Sequence, residues 1–104
     1  MSAAGRGGTQ RLPPRRMSLS EAEFLHHLPR ALVRYSWRRI GPGALEVQLP
    51  PGRARISHAQ APALRLGALA LPVTVLEFRF ERCAPPQIES FLAAFERSFR
   101  RGGG

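Results

Sequence analysis

Large apolar residues recur at helical spacing in a segment near the start of the chain. Four of them follow this period: Phe24, Leu25, Leu28 and Leu32. Ser20 and Glu23 form a capping box, in which each side chain accepts a hydrogen bond from the other residue's free backbone N–H. Pro29 lacks a backbone N–H and clashes with the preceding turn. The pattern therefore predicts a helix that begins after Ser20 and stops or kinks near Leu28, with a short second piece to Leu32.

A second apolar stripe at helical spacing lies at the end of the chain. Its members are Ile88, Phe91, Leu92, Phe95 and Phe99. Pro85 and Pro86 suit a first helical turn, where the missing N–H groups need no partner. The glycines at 102–104 can terminate the helix. This is the clearest predicted element, and its phenylalanines make it the main anchor of the core.

Between the two helices, apolar and polar residues alternate with a period of two, which indicates half-buried strands. The alternating segments are residues 35–40, 45–49, 53–57, 64–66 and 73–81. Gly- and Pro-rich turns separate them at residues 41–43 and 50–52, a loop is expected around residues 58–62, and Pro72 separates the last two segments.

This order of elements predicts an α+β fold. We expect a two-layer sandwich, in which an antiparallel sheet of four or five strands carries the N-terminal and C-terminal helices on one face and leaves the other face in water. Residues 17–104 would form this single small domain. Residues 1–16 hold one large apolar residue, Leu12, and are predicted to be a disordered basic tail. The alternative is that the protein starts at Met17.

The charge of the chain bears on the kind of partner that it can bind. All 16 basic residues are Arg and all seven acidic residues are Glu, which gives a net charge of +9. GC-rich codon usage is the favoured explanation for Arg in place of Lys, and the alternative is selection for the bidentate hydrogen bonds of Arg. Codon usage does not explain the excess of charge. That excess favours contact with an anionic partner such as a nucleic acid, lipid headgroups or an acidic protein. The most apolar stretch, residues 61–80, contains charged residues and prolines and is not predicted to span a membrane.

Alternation assigns the strand residues to two faces of the sheet. Eight apolar side chains are expected to face the helices: Leu45, Val47, Leu49, Ala54, Ile56, Leu76, Phe78 and Phe80. Five arginines are expected on the open face, as a platform that could contact phosphates or a partner: Arg38, Arg53, Arg55, Arg65 and Arg79. Alternatively, the face is simply solvated and its Arg and Glu side chains pair across strands.

Candidate catalytic residues are few. His26 and His27 diverge by about 100° on a helix and are unsuited to sharing a metal, while His58 is expected in a loop. Cys83 precedes a helix, where the dipole can lower a thiol pKa, but no Cys–His arrangement is legible. Tyr35 and Trp37 share one strand face and are expected in the core. We therefore predict no catalytic site, no metal and no cofactor.

Three classes of function remain. The first is a non-catalytic interaction or assembly module, which could be a homodimer, since a domain this small has little core of its own. The alternative is a nucleic-acid-binding module that uses the arginine-rich open face. The third class is an enzyme whose active site the sequence pattern does not reveal. One cysteine permits no internal disulfide and fits a reducing, cytoplasmic compartment.

Overall fold

The computed structural model describes residues 8–103 of the chain, with side chains as far as Arg100. It contains two helices, α1 (Glu21–Ala31) and α2 (Pro85–Gly103). It also contains six strands: β1 (Thr9–Arg11), β2 (Arg15–Met17), β3 (Trp37–Gly41), β4 (Ala44–Leu49), β5 (Gly52–Leu66) and β6 (Leu69–Glu81). All pairings are antiparallel, in the order β1–β6–β5–β4–β3, and β2 also pairs with β6. The predicted α+β class and antiparallel sheet are confirmed, with six strands rather than four or five.

The additional strands come from the segment predicted to be a disordered tail. β1 and β2 pair with β6, and the backbone N–H of Leu12 between them donates to the carbonyl of Phe78 at 3.1 Å. These pairings satisfy backbone groups that every residue carries, so they do not require an apolar sequence. The strand edge of β6 therefore supplies the order that the composition of this segment does not reveal. Residues 1–7 of the predicted tail lie outside the described residues.

Helix α1 begins as predicted but does not stop at Pro29. The capping box is present, and the helix continues through Pro29 to Ala31. The proline side is exposed, while Phe24, Leu28 and Ala31 are buried on the opposite side. Packing of this buried face holds the last turn in place even though proline removes one backbone hydrogen bond.

The predicted loop at residues 58–62 is instead part of a long hairpin. β5 pairs with β4 only as far as Ser57, and β6 pairs with β2 only from Thr74 onward. Beyond these points the two strands pair with each other through a bulge after Ala61 and turn at Gly67, whose φ of +64° suits glycine. We call residues 61–73 the arm. It contributes to a longest dimension of 54 Å, against 25 Å along the other two axes.

A single apolar cluster joins the helices to the sheet. All eight strand residues predicted to face inward are buried in it. Aromatic rings of both helices contact one another and the sheet, with centroid separations of 5.4 Å for Phe24–Phe99 and for Phe78–Phe95. α2 therefore anchors the core as its apolar stripe predicted. Neither helix is long and apolar enough to cross a membrane.

Candidate functional site

Arginines on β3, β5, β6 and β1 form a row that crosses the sheet from one edge to the other. The register places Arg38 opposite Glu46, Glu46 opposite Arg55, and Arg55 opposite Arg79. Arg79 is in turn opposite Arg11 of β1. Directly opposite side chains in a sheet lie on the same face. Five strands thus bring four arginines and one glutamate into a single line.

Glu46 lies at the centre of the predicted arginine cluster. Its side chain is buried, and its carboxylate accepts hydrogen bonds from Arg38 Nη2 at 3.2 Å and Arg53 Nη1 at 3.3 Å, with Arg55 Nε at 3.7 Å. Burial alone would raise the pKa of Glu46. The hydrogen bond from Arg38 and the positive charges of the three arginines outweigh that effect and hold the pKa below its ordinary value. The carboxylate is therefore charged at neutral pH.

A second glutamate pairs with the row from the neighbouring position. Arg53 Nε donates to Glu81 Oε1 at 2.9 Å, and Arg79 Nη2 lies 3.4 Å from Glu81 Oε2. Hydrogen bonding to Glu81 raises the pKa of Arg53 further. Cross-strand Arg–Glu pairing, the alternative to a free basic platform, is thus present for part of the cluster.

The structure groups four of the five predicted site residues and separates the fifth. Arg38, Arg53, Arg55 and Arg79 lie together, whereas Arg65 lies in the arm opposite Ala70. The bulge after Ala61 and the length of β5 carry Arg65 away from the other four. Sequence reasoning missed Arg11, because a three-residue strand paired to β6 leaves no periodic signal.

A cleft of about 320 Å³ opens beside this row. Its lining includes Arg11, Arg55, Arg79, Ser57 and Glu77. Within the described part of the chain, the Nε atoms of Arg55 and Arg79 are buried and have no hydrogen-bond acceptor. The cleft is thus lined by three arginines, one serine and one glutamate, together with the apolar residues Leu12, Ile40, Ala44 and Phe78.

His58 is a core residue and not a loop residue as predicted. It lies in β5, and its ring is buried against the ring of Phe24 at a centroid separation of 5.3 Å. Its Nδ1 is 2.5 Å from Glu21 Oε2, at the start of α1. The expected loop was wrong because residues 58–61 pair with β6, which turns the His58 side chain inward.

Cys83 is buried and lies away from the histidine. Its Sγ donates weakly to the carbonyls of Glu81 and Arg53, at 3.4 and 3.6 Å. Burial raises the pKa of the thiol, which opposes the lowering that a helix N-terminus could produce. His58 is five residues further along β5 than Arg53, or about 17 Å away. The two side chains are too far apart to act as a nucleophile and its base.

Of the remaining candidates, Tyr35, Trp37 and His27 pack against core residues. Tyr35 and Trp37 are half-buried against the core, and the Tyr35 ring meets Phe91 edge to face at 5.2 Å. His27 lies 6.3 Å from the ring of Phe99. Among the described residues, no three His, Cys or Glu side chains are grouped as metal ligands.

The most exposed apolar cluster of the described residues lies on the arm. Leu64, Leu66 and Leu69 have relative exposures of 49%, 55% and 56%. The register pairs Leu64 with Leu71 and Leu66 with Leu69, so these four side chains share one face of the arm. We call this set the leucine face. Sequence reasoning missed it, because Pro62 and Pro72 divide the strand signal on both sides of the hairpin.

Comparisons with known proteins add no relative to this description. Family models, curated proteins and solved structures were all searched, and none matches the chain.

Proposed function

We propose that the chain is a non-catalytic interaction module that forms a homodimer through the leucine face of its arm. The observation that carries this proposal is the half-exposure of three leucines at the tip of a projecting hairpin. Contiguous exposed apolar surface in a small domain marks a contact site. A two-stranded hairpin is also marginal in water by itself, so the arm gains stability from a partner.

The packing of the two helices on the sheet supports an arm that the helices do not cover. We infer that α1 and α2 cover one face of the sheet, because their buried residues share one cluster with the inward side chains of β4, β5 and β6, and rings of α2 contact Phe78 and Phe80 of β6. Arg53 and Ser57, which alternate with those inward side chains, are exposed on the other face. Residues 62–70 of the arm are all exposed, so the rest of the described protein does not cover them.

A second copy of the chain is the occupant that suits the leucine face. The face is self-complementary, because its two leucine pairs can meet the same pairs of another copy around a two-fold axis. A chain with a charge of +9 repels its own copies, but Arg65 is the one charged residue in the arm and lies on its opposite face. Pro62 and Pro72 remove backbone donors from the strand edges, which disfavours open-ended strand addition.

The leucines set the expected strength of the dimer. Completing the burial of a half-exposed leucine contributes about 1 kcal/mol. The three most exposed leucines of two copies together then contribute about 6 kcal/mol. Loss of translational and rotational freedom opposes association. We therefore expect a dissociation constant of about 40 μM or weaker, because 6 kcal/mol falls about 2 kcal/mol short of the 8 kcal/mol that corresponds to 1 μM.

Sedimentation velocity across a wide range of protein concentration tests this proposal. The wild-type protein should begin to pass from monomer to dimer above about 40 μM, and the dimer fraction should keep rising toward about 2 mM. The triple variant Leu64→Ser, Leu66→Ser, Leu69→Ser should stay monomeric. The matched control is Val33→Ser with Ile40→Ser, which changes the other two exposed large apolar residues of the described chain and should leave the dimer intact. A wild-type protein that remains monomeric at every concentration refutes the homodimer, and loss of the dimer in both variants refutes the role of the arm.

The remaining classes of function have less support. Glu46 and Glu81 pair with Arg38 and Arg53, so fewer of the predicted arginines are available to a nucleic acid. A catalytic role for Cys83 is disfavoured by its burial and its distance from His58. A single thiol and no disulfide suit a reducing compartment such as the cytoplasm.

A further inference from the structure

Three arginines beside the cleft are placed in a way that does not stabilise the fold. Arg55, Arg79 and Arg11 occupy consecutive positions across β5, β6 and β1. Like charges placed directly opposite each other in a sheet are destabilising. Three such positions in one line concentrate positive charge on one wall of a concave site.

The neighbouring glutamates do not accept hydrogen bonds from all of the donors of these arginines. Glu46 lies 3.7 Å from Arg55 and Glu81 lies 3.4 Å from Arg79, and neither contact meets hydrogen-bond geometry. Both Nε atoms are buried without an acceptor in the described protein. Arg11 forms no ion pair within the described residues. Buried donors without an acceptor cost stability unless a ligand or water accepts from them.

The chemistry of this wall fits a tetrahedral oxyanion. A guanidinium presents N–H groups in a planar fork that matches two oxygens of a phosphate. Ser57 is paired with Glu77 across β5 and β6, and its hydroxyl lines the same cleft. The volume of about 320 Å³ is at the lower end of the range for small-ligand sites.

We propose that this cleft binds a phosphate group through Arg55, Arg79 and Arg11. The phosphate can belong to a small phosphorylated molecule or to the backbone of a nucleic acid, because the same guanidinium contacts serve both. Glu77 is the carboxylate that opposes the ligand from the cleft wall. The negative charge of Glu77 limits the affinity of the cleft for phosphate. It favours an anion that binds against the arginine side of the cleft.

Titration with inorganic phosphate, followed by backbone amide NMR shifts, is the first test. The wild-type protein should show saturable shifts at residues 55–57 and 77–79. Arg55→Gln with Arg79→Gln should weaken binding at least tenfold. The control Arg34→Gln with Arg65→Gln removes the same charge from positions outside the cleft and should preserve the affinity. Equal weakening in both double variants, or no saturable shift in the wild-type protein, overturns the proposal.

A second variant keeps the test independent of any loss of folding. Glu77→Gln removes the opposing charge from an exposed position and should tighten phosphate binding about threefold or more. Unchanged or weaker binding by Glu77→Gln contradicts the assignment of the cleft.

Fluorescence anisotropy with a labelled 12-nucleotide single strand identifies the source of the phosphate. Binding of the strand much tighter than phosphate, with a steep decrease between about 50 and 200 mM salt, supports a nucleic-acid backbone as ligand. Similar affinities for the strand and for phosphate support a small phosphorylated ligand. In both cases the binding must depend on Arg55 and Arg79, and binding of the strand that survives their substitution contradicts the proposed site.

Discussion

Replacement of Gly52 by alanine tests whether the start of β5 approaches the end of β6 as closely as the structure indicates. A Cβ atom at Gly52 would lie 1.9 Å from the carbonyl oxygen of Glu81 and 2.5 Å from that of Arg82. Both atoms belong to the backbone, so no side-chain rotation can relieve the contact. The separation from Glu81 would have to increase by about 1 Å to reach an allowed contact near 3.0 Å.

The surrounding structure resists this movement. Arg82 has a φ of +58°, and its N–H donates to the carbonyl of Gly8 at 3.0 Å. The adjacent pair, Arg53 and Glu81, is joined by the 2.9 Å contact of their side chains. Overpacking costs about 1–3 kcal/mol, and a weakened strand-end hydrogen bond adds about 1 kcal/mol. We expect Gly52→Ala to lower the free energy of unfolding by about 3 kcal/mol.

Urea unfolding and thermal melting followed by circular dichroism measure this effect. For a domain of this size, a loss of about 3 kcal/mol lowers Tm by roughly 12–24 °C. The control is Gly41→Ala, because a Cβ at Gly41 meets no atom within 4 Å. It should change stability by less than about 1 kcal/mol. A Gly52→Ala protein as stable as Gly41→Ala would refute the close approach of the two strands.

Three further substitutions or treatments give distinct outcomes. Because the folded-state pKa of Glu46 is lowered, its charge stabilises the fold above the ordinary pKa of 4.5 and that contribution is lost as pH falls through the lower value. Glu46→Gln should cost about 1–2 kcal/mol at pH 7, and urea unfolding at pH 3.5 should show a smaller difference from wild type; a constant difference contradicts the ion pairing. Burial raises the pKa of Cys83, so alkylation by iodoacetamide at pH 8 should be at least tenfold slower in the folded protein than in urea, and equal rates contradict its burial. Pro29→Ala restores a helical N–H at an exposed position and should stabilise the protein by about 1 kcal/mol, whereas destabilisation in a thermal melt would show that the helix is not continuous there.

The sequence predicted those elements whose signal lies within one segment. The stripe from Ile88 to Phe99 has a clear helical period, and Ser20 with Glu23 marks the start of α1 through side-chain chemistry that needs no distant partner. Alternation along β4, β5 and β6 likewise identified the eight buried apolar positions, because successive strand residues point to opposite faces. It did not identify Glu46 as buried, because the arginines that cover Glu46 lie on neighbouring strands.

The missed features depend on contacts between distant segments. Prolines are strong breakers in a single sequence, yet Pro62 and Pro72 are accommodated where the arm has free strand edges and a bulge. β1 forms because β6 offers an unpaired edge, which the residues of β1 do not reveal. The register between strands decides which arginine is opposite Glu46 and which is opposite another arginine. No periodicity in the sequence determines that register, so the cleft could not be predicted even though Arg55 and Arg79 were both named as candidate contact residues.

The leucine face and the phosphate cleft can be tested separately because of their separation along one strand. Arg79 and Leu69 are ten residues apart on β6, which corresponds to about 33 Å of extended chain. This distance exceeds the Debye length of about 8–10 Å at ordinary salt, so charges at the cleft have little direct effect on the arm. Substitutions that far apart, with no shared contacts, have additive effects. The leucine triple variant should therefore keep its phosphate affinity, and the Arg55→Gln, Arg79→Gln variant should keep its dimer. If either variant loses both properties, the two surfaces are coupled through the hairpin, and the arm is then part of the binding site rather than a separate contact.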